Sequence, residues 1–445
     1  MAEVSIICKR TVISTMPVQP GKFIPLSVLD RVMERNHVRS VFYYQFPSER
    51  KSGELTDKLR ESISEMLSAF PLVMGRLLRS PDEGQWMVKC NDAGLRMVEA
   101  NAKGTVNEWL QNLDREKELK LVHWEEMSHK PYFWSPFYVQ ITEFEGGGLA
   151  IGLSCTHLLS DPTSATMIIK AWADTTLGGK HIHQPPLFHP LPPQRQGNTY
   201  TNHQPYLINH YKSAIQNPVP ISKHKHKTIT LLFSQEMVRN CIAMAGIPNA
   251  HDHEKKLTPF EALSALFWTR TSKVKGMEGS LIDMSITLDT RRVLGLDNGF
   301  FGNYTVYNKV RGDGLDENEL SKAAFAIKEV VSKMESDGVM DLIEWLEQEK
   351  CEIPPLMNGY HLVCVNLENV DSYSAIFEDN VSPVHVSYYI EPSVGPGQVL
   401  ILPSPRSEGA FGRVVMVTLP EDEAEKLLND ELIQQFAPTT LMGLN

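Results

Sequence analysis

The chain has no Cys-x-x-Cys pair, no Gly-x-Ser-x-Gly elbow, no short tandem repeat and no apolar run near the ~20 residues that span a bilayer. Each absence removes a class. The six cysteines (Cys8, Cys90, Cys155, Cys241, Cys351, Cys364) are scattered, which suits reduced thiols in a reducing compartment. Met1-Ala2-Glu3-Val4-Ser5 lacks the basic and apolar regions of a signal peptide, and Met442-Gly443-Leu444-Asn445 is not a peroxisomal or retention tag. A cytoplasmic location and no transmembrane segment are therefore expected. Basic residues are outnumbered, 43 Lys and Arg against 54 Asp and Glu, for a net charge of -11. That balance argues against nucleic acid or an anionic membrane as partner, but a small anionic ligand needs only a local basic patch. His251-Asp252-His253 looks like a metal pair, yet no third or fourth ligand stands at a sensible spacing, so it reads as a solvated loop and no metal is expected.

What is present is ordinary in bulk and specific in one place. Hydrophobic content of 42% with 22% charged residues fits a soluble globular protein, and 445 residues suit two or three domains or one large two-lobed unit. The specific place is His157-Leu158-Leu159-Ser160-Asp161, directly after Leu149-Ala150-Ile151-Gly152-Leu153-Ser154-Cys155. The apolar run reads as a buried strand, Asp161-Pro162 as a turn, and Ser164 to Ala173 has the apolar spacing of a helix. A histidine at a strand end facing a cleft is a natural general base, because a pKa near ~6.5 leaves it largely neutral at pH 7. The spacing alone is common by chance, and a partly buried histidine bonded to nearby backbone fits it equally. Cys155 would share a face with His157, but it ends an apolar run and reads as packing.

The rest of the chain repeats one αβ rhythm. Val4 to Ile7, Leu72 to Leu78, Trp86-Met87-Val88 with Leu95 to Val98 as a hairpin, and Tyr138 to Phe144 are expected strands. Thr56 to Phe70 places Leu59, Ile63, Met66, Leu67 and Phe70 on one helical stripe. Gly178 to Pro220, rich in proline and polar residues, reads as an irregular crossover between halves. Beyond it, Thr228 to Phe233 is an expected strand and Ser234 to Met244, Leu257 to Val274, Leu320 to Met334 and Val339 to Lys350 are expected helices. Tyr360 to Val365, His385 to Ile390 and Val414 to Leu419 (the last) are expected strands, with Asp422 to Phe436 the final helix.

Several segments carry a resemblance to one family. Leu26-Ser27-Val28-Leu29-Asp30, Leu59 to Leu77, Leu257-Thr258-Pro259-Phe260-Glu261-Ala262-Leu263, Leu288-Asp289-Thr290-Arg291, Phe300-Phe301-Gly302-Asn303-Tyr304 and Ile401-Leu402-Pro403-Ser404-Pro405 stand in order around the H-x-x-x-D motif. Together they resemble the plant BAHD acyltransferases, which move an acyl group from coenzyme A to an alcohol or amine. The resemblance implies an α/β fold of two similar lobes, each a mixed β-sheet flanked by helices, like chloramphenicol acetyltransferase, joined by a long crossover loop. The expected division is 1–180 for the lobe with the motif, 181–220 for the crossover and 221–445 for the second lobe, with strands within 360–400 able to pack on the first. The resemblance makes His157 the general base, with no bound cofactor and a coenzyme A thioester as co-substrate. It pairs Asp161 with Arg291 as a structural ion pair rather than an orienter of His157.

Other positions stay open at this level. Asn303 is either a strand-start turn or a group facing the pocket or oxyanion. Lys223, Lys225 and Lys227 form either a solvated loop or a patch for coenzyme A phosphates. The family's D-F-G-W-G signature is degenerate, reading Ile376-Phe377-Glu378-Asp379-Asn380-Val381-Ser382-Pro383, and its T-S-W element is replaced by Asn369-Val370-Asp371, which puts Asn369 and Asp371 on the expected pocket wall. The same degeneracy resembles the Eceriferum-type members, which assist very-long-chain fatty-acid elongation. The expected function is therefore acyl transfer by a cytoplasmic monomer acting on acyl-CoA and a small alcohol or amine. The alternative is a non-catalytic accessory protein with an elongase partner at the endoplasmic reticulum.

Overall fold

The structure, a computed structural model, describes residues 3–443 except 20, 47–52, 81–83, 179–184, 189–190, 192–204, 218–224, 247–255, 350–355 and 358–360. The chain divides into two units. The first comprises Met1–Pro193, Asp297–Asn303 and Asp371–Glu391, and the second comprises Gln194–Leu296, Tyr304–Val370 and Pro392–Asn445. Each unit holds a mixed sheet with helices, the α/β class expected.

In the first unit six strands run in the order Val4–Val12, Leu95–Ala102, Phe137–Phe144, Leu149–Thr156, His37–Tyr44 and His385–Glu391. Only the pair Leu95–Ala102 and Phe137–Phe144 is parallel. Leu149–Thr156, the strand before His157, lies inside the sheet between Phe137–Phe144 and His37–Tyr44, and all eight of its residues are buried. Its uninterrupted apolar character follows from that position. Gly152 is required there, because a Cβ would stand 2.2 Å from the Leu121 carbonyl oxygen. In the second unit seven strands form one sheet, with Met284–Asp289 and Gln398–Pro403 each parallel to Leu362–Asn366. The helix Pro259–Val274 belongs to this unit's core and is opened by a Thr258 and Glu261 capping box.

Several local expectations are corrected. Trp86–Lys89 and Leu95–Ala102 are not a hairpin pair. Trp86–Lys89 pairs with Phe23–Pro25 and Arg76–Arg79 in a separate three-stranded sheet. The chain is redirected by left-handed Asp92 and Gly94, and the buried Arg76 guanidinium pins the turn by donating to the carbonyls of Ala93 (2.9 Å) and Gly94 (3.0 Å). The strand expected over Leu72 to Leu78 is confined to Arg76–Arg79, after a run of turns. The expected irregular crossover contains a helix, Pro205–Gln216, whose Tyr211 hydroxyl accepts from the Tyr307 N–H. The final helix is two helices, Glu421–Leu428 and Glu431–Gln435, because the Asp430 carboxylate caps a new start at Leu432 and Ile433. A further strand, Thr439–Met442, then adds to His226–Phe233.

One buried carboxyl ties two strands of the first sheet together. Tyr43, on His37–Tyr44, donates to Glu118 Oε1 at 2.8 Å, and Tyr389, on His385–Glu391, donates to Oε2. Burial raises the Glu118 carboxyl from an ordinary 4.5 to about 7. The folded chain therefore keeps a proton that the unfolded chain releases, and stability falls as pH rises between those two values. Glu118→Gln is neutral throughout and is expected to remove that fall, on the order of 2–3 kcal/mol from the pKa difference. Urea unfolding at pH 5 and pH 8 measures it, and an unaltered pH dependence in the variant would clear Glu118 as its source.

Candidate active site

His157 is placed by the elements on either side of it. The strand Leu149–Thr156 ends, the His157 N–H donates to the Asn36 carbonyl at 2.9 Å, and the chain turns. Asp161 then caps the helix Pro162–Thr176, its Oδ1 accepting from the Ser164 N–H at 2.8 Å, with Pro162 at the first helical position. The helix is anchored by Trp172, whose indole N–H donates to the Leu59 carbonyl at 3.0 Å. The H-x-x-x-D spacing is thus strand end, turn and helix cap.

The imidazole is fully buried and its ring nitrogens differ in their surroundings. Nδ1 lies 2.7 Å from Asn303 Oδ1. Asn303 Nδ2 donates to the His157 carbonyl at 2.6 Å and to Asp30 Oδ1 at 2.9 Å. Both of those partners only accept, so the Asn303 amide has one workable orientation and its oxygen must face the ring. Nδ1 therefore carries the hydrogen, and Nε2 presents a lone pair. Nε2 is buried and has no hydrogen-bond partner among the described residues. Burial pushes the His157 pKa below its ordinary 6.5, opposed by the Asp161 charge, by its own carbonyl and by Asn303. A neutral imidazole with an unpartnered Nε2 has the chemistry to take a proton from a hydroxyl or amine.

The segment that delivers Asn303 is held in the same unit. Phe301 donates its N–H to the Leu187 carbonyl at 3.0 Å and its ring meets Phe70 edge-on at 5.7 Å. Ser164 Oγ both donates to the Gly302 carbonyl and accepts from the Gly302 N–H, each at 3.0 Å. Gly302 sits at φ 144, a conformation that a side chain would strain, one residue before Asn303. The second nearby histidine has another character. His37 stacks on Trp124 at 4.7 Å, and burial, with the Arg39 charge, pushes it down to about 3. Cys155 is buried and its thiol is pushed up to about 12, so no thiolate stands beside His157.

Asn303 is the site residue whose task sequence reading left open. With Oδ1 and both amide hydrogens engaged, it has no side-chain donor left for an oxyanion, and it holds the His157 ring instead. Asp30 was not singled out, although its L-S-x-L-D setting was visible. Arg291 lies in the second unit, buried, 2.6 Å from Asp289 Oδ2 and 4.6 Å over the Tyr304 ring. Asp371 is exposed and pairs with Lys170 at 2.6 Å, while Asn369 is exposed in a turn of the second unit. Phe377 of the degenerate stretch is buried, edge-on to Trp172 at 5.1 Å and to Tyr44 at 5.5 Å. Lys225 and Lys227 meet Glu421 and Glu425 at 3.9 and 3.4 Å, whereas Lys223, His251, Asp252 and His253 lie outside the described residues. No cluster able to hold a metal occurs among the described residues, and no described helix is long and apolar enough to cross a membrane.

Comparison with known proteins adds to the geometry. A family model described as Transferase family matches residues 2–431. The chain is 27% identical over 420 residues to Protein ECERIFERUM 26-like of Arabidopsis thaliana, covering 94% of this chain and 92% of that one. It is 27% identical over 431 residues to rosmarinate synthase of Plectranthus scutellarioides, covering 94% and 96% respectively. Its fold matches that of F. sporotrichioides TRI101, solved with coenzyme A and T-2, at a TM-score of 0.76 and 13% identity over 94% of this chain and 99% of that one.

The ring's surroundings fix an observable. Titration of histidine-labelled protein by NMR should show His157 changing charge below pH 6.5, since burial outweighs the three opposing influences. A midpoint above 6.5 would show that the Asp161 charge dominates instead.

Proposed function

The chain belongs to the Transferase family, the BAHD acyltransferases, and on that footing we propose that it transfers an acyl group from a coenzyme A thioester to the hydroxyl or amine of a small acceptor. The observation that carries this reading is the neutral, buried His157 with an unpartnered Nε2. The acceptor X–H donates to Nε2, and its heteroatom attacks the thioester carbonyl as the proton moves to the ring. The imidazolium keeps its Nδ1–H on Asn303 Oδ1, so the charge forms against an oriented dipole. The tetrahedral intermediate then collapses, the C–S bond breaks, and Nε2–H returns its proton to the sulfur. Ester or amide and free coenzyme A leave, and His157 is neutral again. No covalent enzyme intermediate is involved, consistent with the missing nucleophile elbow and the raised Cys155 thiol.

The reading takes the chain as a cytoplasmic monomer with no bound cofactor. Asp161 and Arg291 are proposed to form the structural pair that the family resemblance implies. Asp371, Asn369, Lys225 and Lys227 have no assigned part in the chemistry. The likeness to Protein ECERIFERUM 26-like supports a second reading, an accessory role in very-long-chain fatty-acid elongation beside an elongase at the endoplasmic reticulum.

Incubation with a panel of acyl-CoA thioesters and mixed acceptors, followed by free-thiol release, tests the first reading. His157→Ala is expected to lower turnover by about 10²–10⁴-fold with the fold intact. Turnover near wild type would remove His157 as the base, and rescue of a wax-deficient plant by that variant would favour the accessory role. For the pair, Asp161→Asn and Arg291→Ala should each lower thermal stability, and the double variant should lose much less than their sum. Strictly additive losses would show that the two side chains do not interact.

A further inference from the structure

We propose that Asp30 is a positioning residue for the reaction, acting with the His157 carbonyl to fix the orientation of the Asn303 amide and, through it, the tautomer of His157. The inference rests on the general-base reading of His157 and deepens it. Asp30 is buried and its two oxygens have separate tasks. Oδ2 accepts from the Ser27 N–H at 2.8 Å, as one half of the capping box that starts the short helix Val28–Val32. Oδ1 accepts from Asn303 twice, from the backbone N–H at 3.0 Å and from Nδ2 at 2.9 Å. A helix cap needs only the first of these. The second oxygen is directed at a residue 273 positions away, and it contacts both ends of that residue's polar face.

A carboxylate has no hydrogen to give, so only the NH2 end of the Asn303 amide can face it. The opposite orientation would set Asn303 Oδ1 against Asp30 Oδ1, two acceptors at about hydrogen-bond distance in a buried place, at a cost of roughly 1–3 kcal/mol for each group left unmatched. With the NH2 end turned to Asp30, the amide oxygen faces His157, Nδ1 must be the protonated nitrogen, and Nε2 is left bare for the acceptor. Burial raises the Asp30 carboxyl pKa, and the hydrogen bonds from Ser27 and Asn303 favour its ionised form. The donors that depend on a carboxylate at Asp30 thus help to keep one there. Asp30 touches no reacting atom; its effect passes through one amide.

The test reads the tautomer directly, without reference to activity. Long-range ¹H–¹⁵N correlation on ¹⁵N-histidine-labelled protein distinguishes a protonated ring nitrogen from a bare one, with His157→Gln used to identify the signal. The wild type is expected to show Nδ1 protonated and Nε2 bare. Asp30→Asn sets its NH2 group against a backbone N–H at either position, Ser27 at one and Asn303 at the other, and so weakens the hold on the Asn303 amide; a share of the Nε2-protonated form of His157 should appear. Asp30→Ala leaves only the His157 carbonyl to hold the Asn303 NH2 group, so both forms should be seen with the Nδ1-protonated one in excess. Turnover number should fall by roughly 10–100-fold in Asp30→Asn, the scale of other residues that act through a ligand or base, with the acceptor KM unchanged. A wild-type spectrum with Nε2 protonated would overturn the proposal. So would a folded Asp30→Asn or Asp30→Ala variant that kept the wild-type tautomer, or a loss confined to KM. If the wild type shows the expected tautomer and no thioester is turned over, the general-base reading fails while the role of Asp30 in setting the tautomer stands.

Discussion

A buried imidazole is stable only if its polar atoms are matched, and the 2.7 Å contact between His157 Nδ1 and Asn303 Oδ1 is the match that the first unit is arranged to provide. The strand Leu149–Thr156 brings the histidine to the sheet end, and the helix Pro162–Thr176 fixes the turn after it. Ser164, on that helix's first turn, grips Gly302 on both its N–H and its carbonyl. One short stretch of helix therefore sets both partners of the contact. What remains unmatched is Nε2, the atom through which a proton can pass.

The electrostatic surroundings favour the neutral form of the ring. Three buried groups near the ring are each moved away from carrying charge: His37 is pushed to about 3, Cys155 to about 12, and His157 itself below its usual range. Burial is the largest cause in each case, so one physical condition, exclusion of water, dominates all three. A cysteine and a second histidine beside His157 would otherwise invite a nucleophile or a relay. Both are held in neutral, unreactive forms, which leaves the single-base route.

Local chemistry made half of this site visible in the sequence and hid the other half. Leu149 to Asp161 could be read as strand, turn and helix because an eight-residue buried strand and an Asp-Pro cap leave unambiguous marks. Asn303 could be placed in a turn but not on His157, since 146 residues separate them and no periodicity reports such a contact. The hairpin expected from Trp86 to Val98 failed for a related reason. Two apolar runs a few residues apart look paired, and the guanidinium of Arg76, which fixes the turn between them, is remote from the pattern. The helix Pro205–Gln216 was masked by the proline-rich stretch around it, and the break at Asp430 by a helical stripe that continues through it.

The discontinuity of the first unit has a consequence for how the protein is made. On the ribosome, Leu149–Thr156 and His157 emerge well before Asp297–Asn303, and the edge strand His385–Glu391 comes later still. Until then the strand His37–Tyr44 has an open edge, and Glu118 has only one of its two tyrosines. Before those segments emerge, His157, Glu118 and the edge of His37–Tyr44 lack partners that they have in the complete chain. The sheet is complete only with Glu391, so the first unit closes late in synthesis.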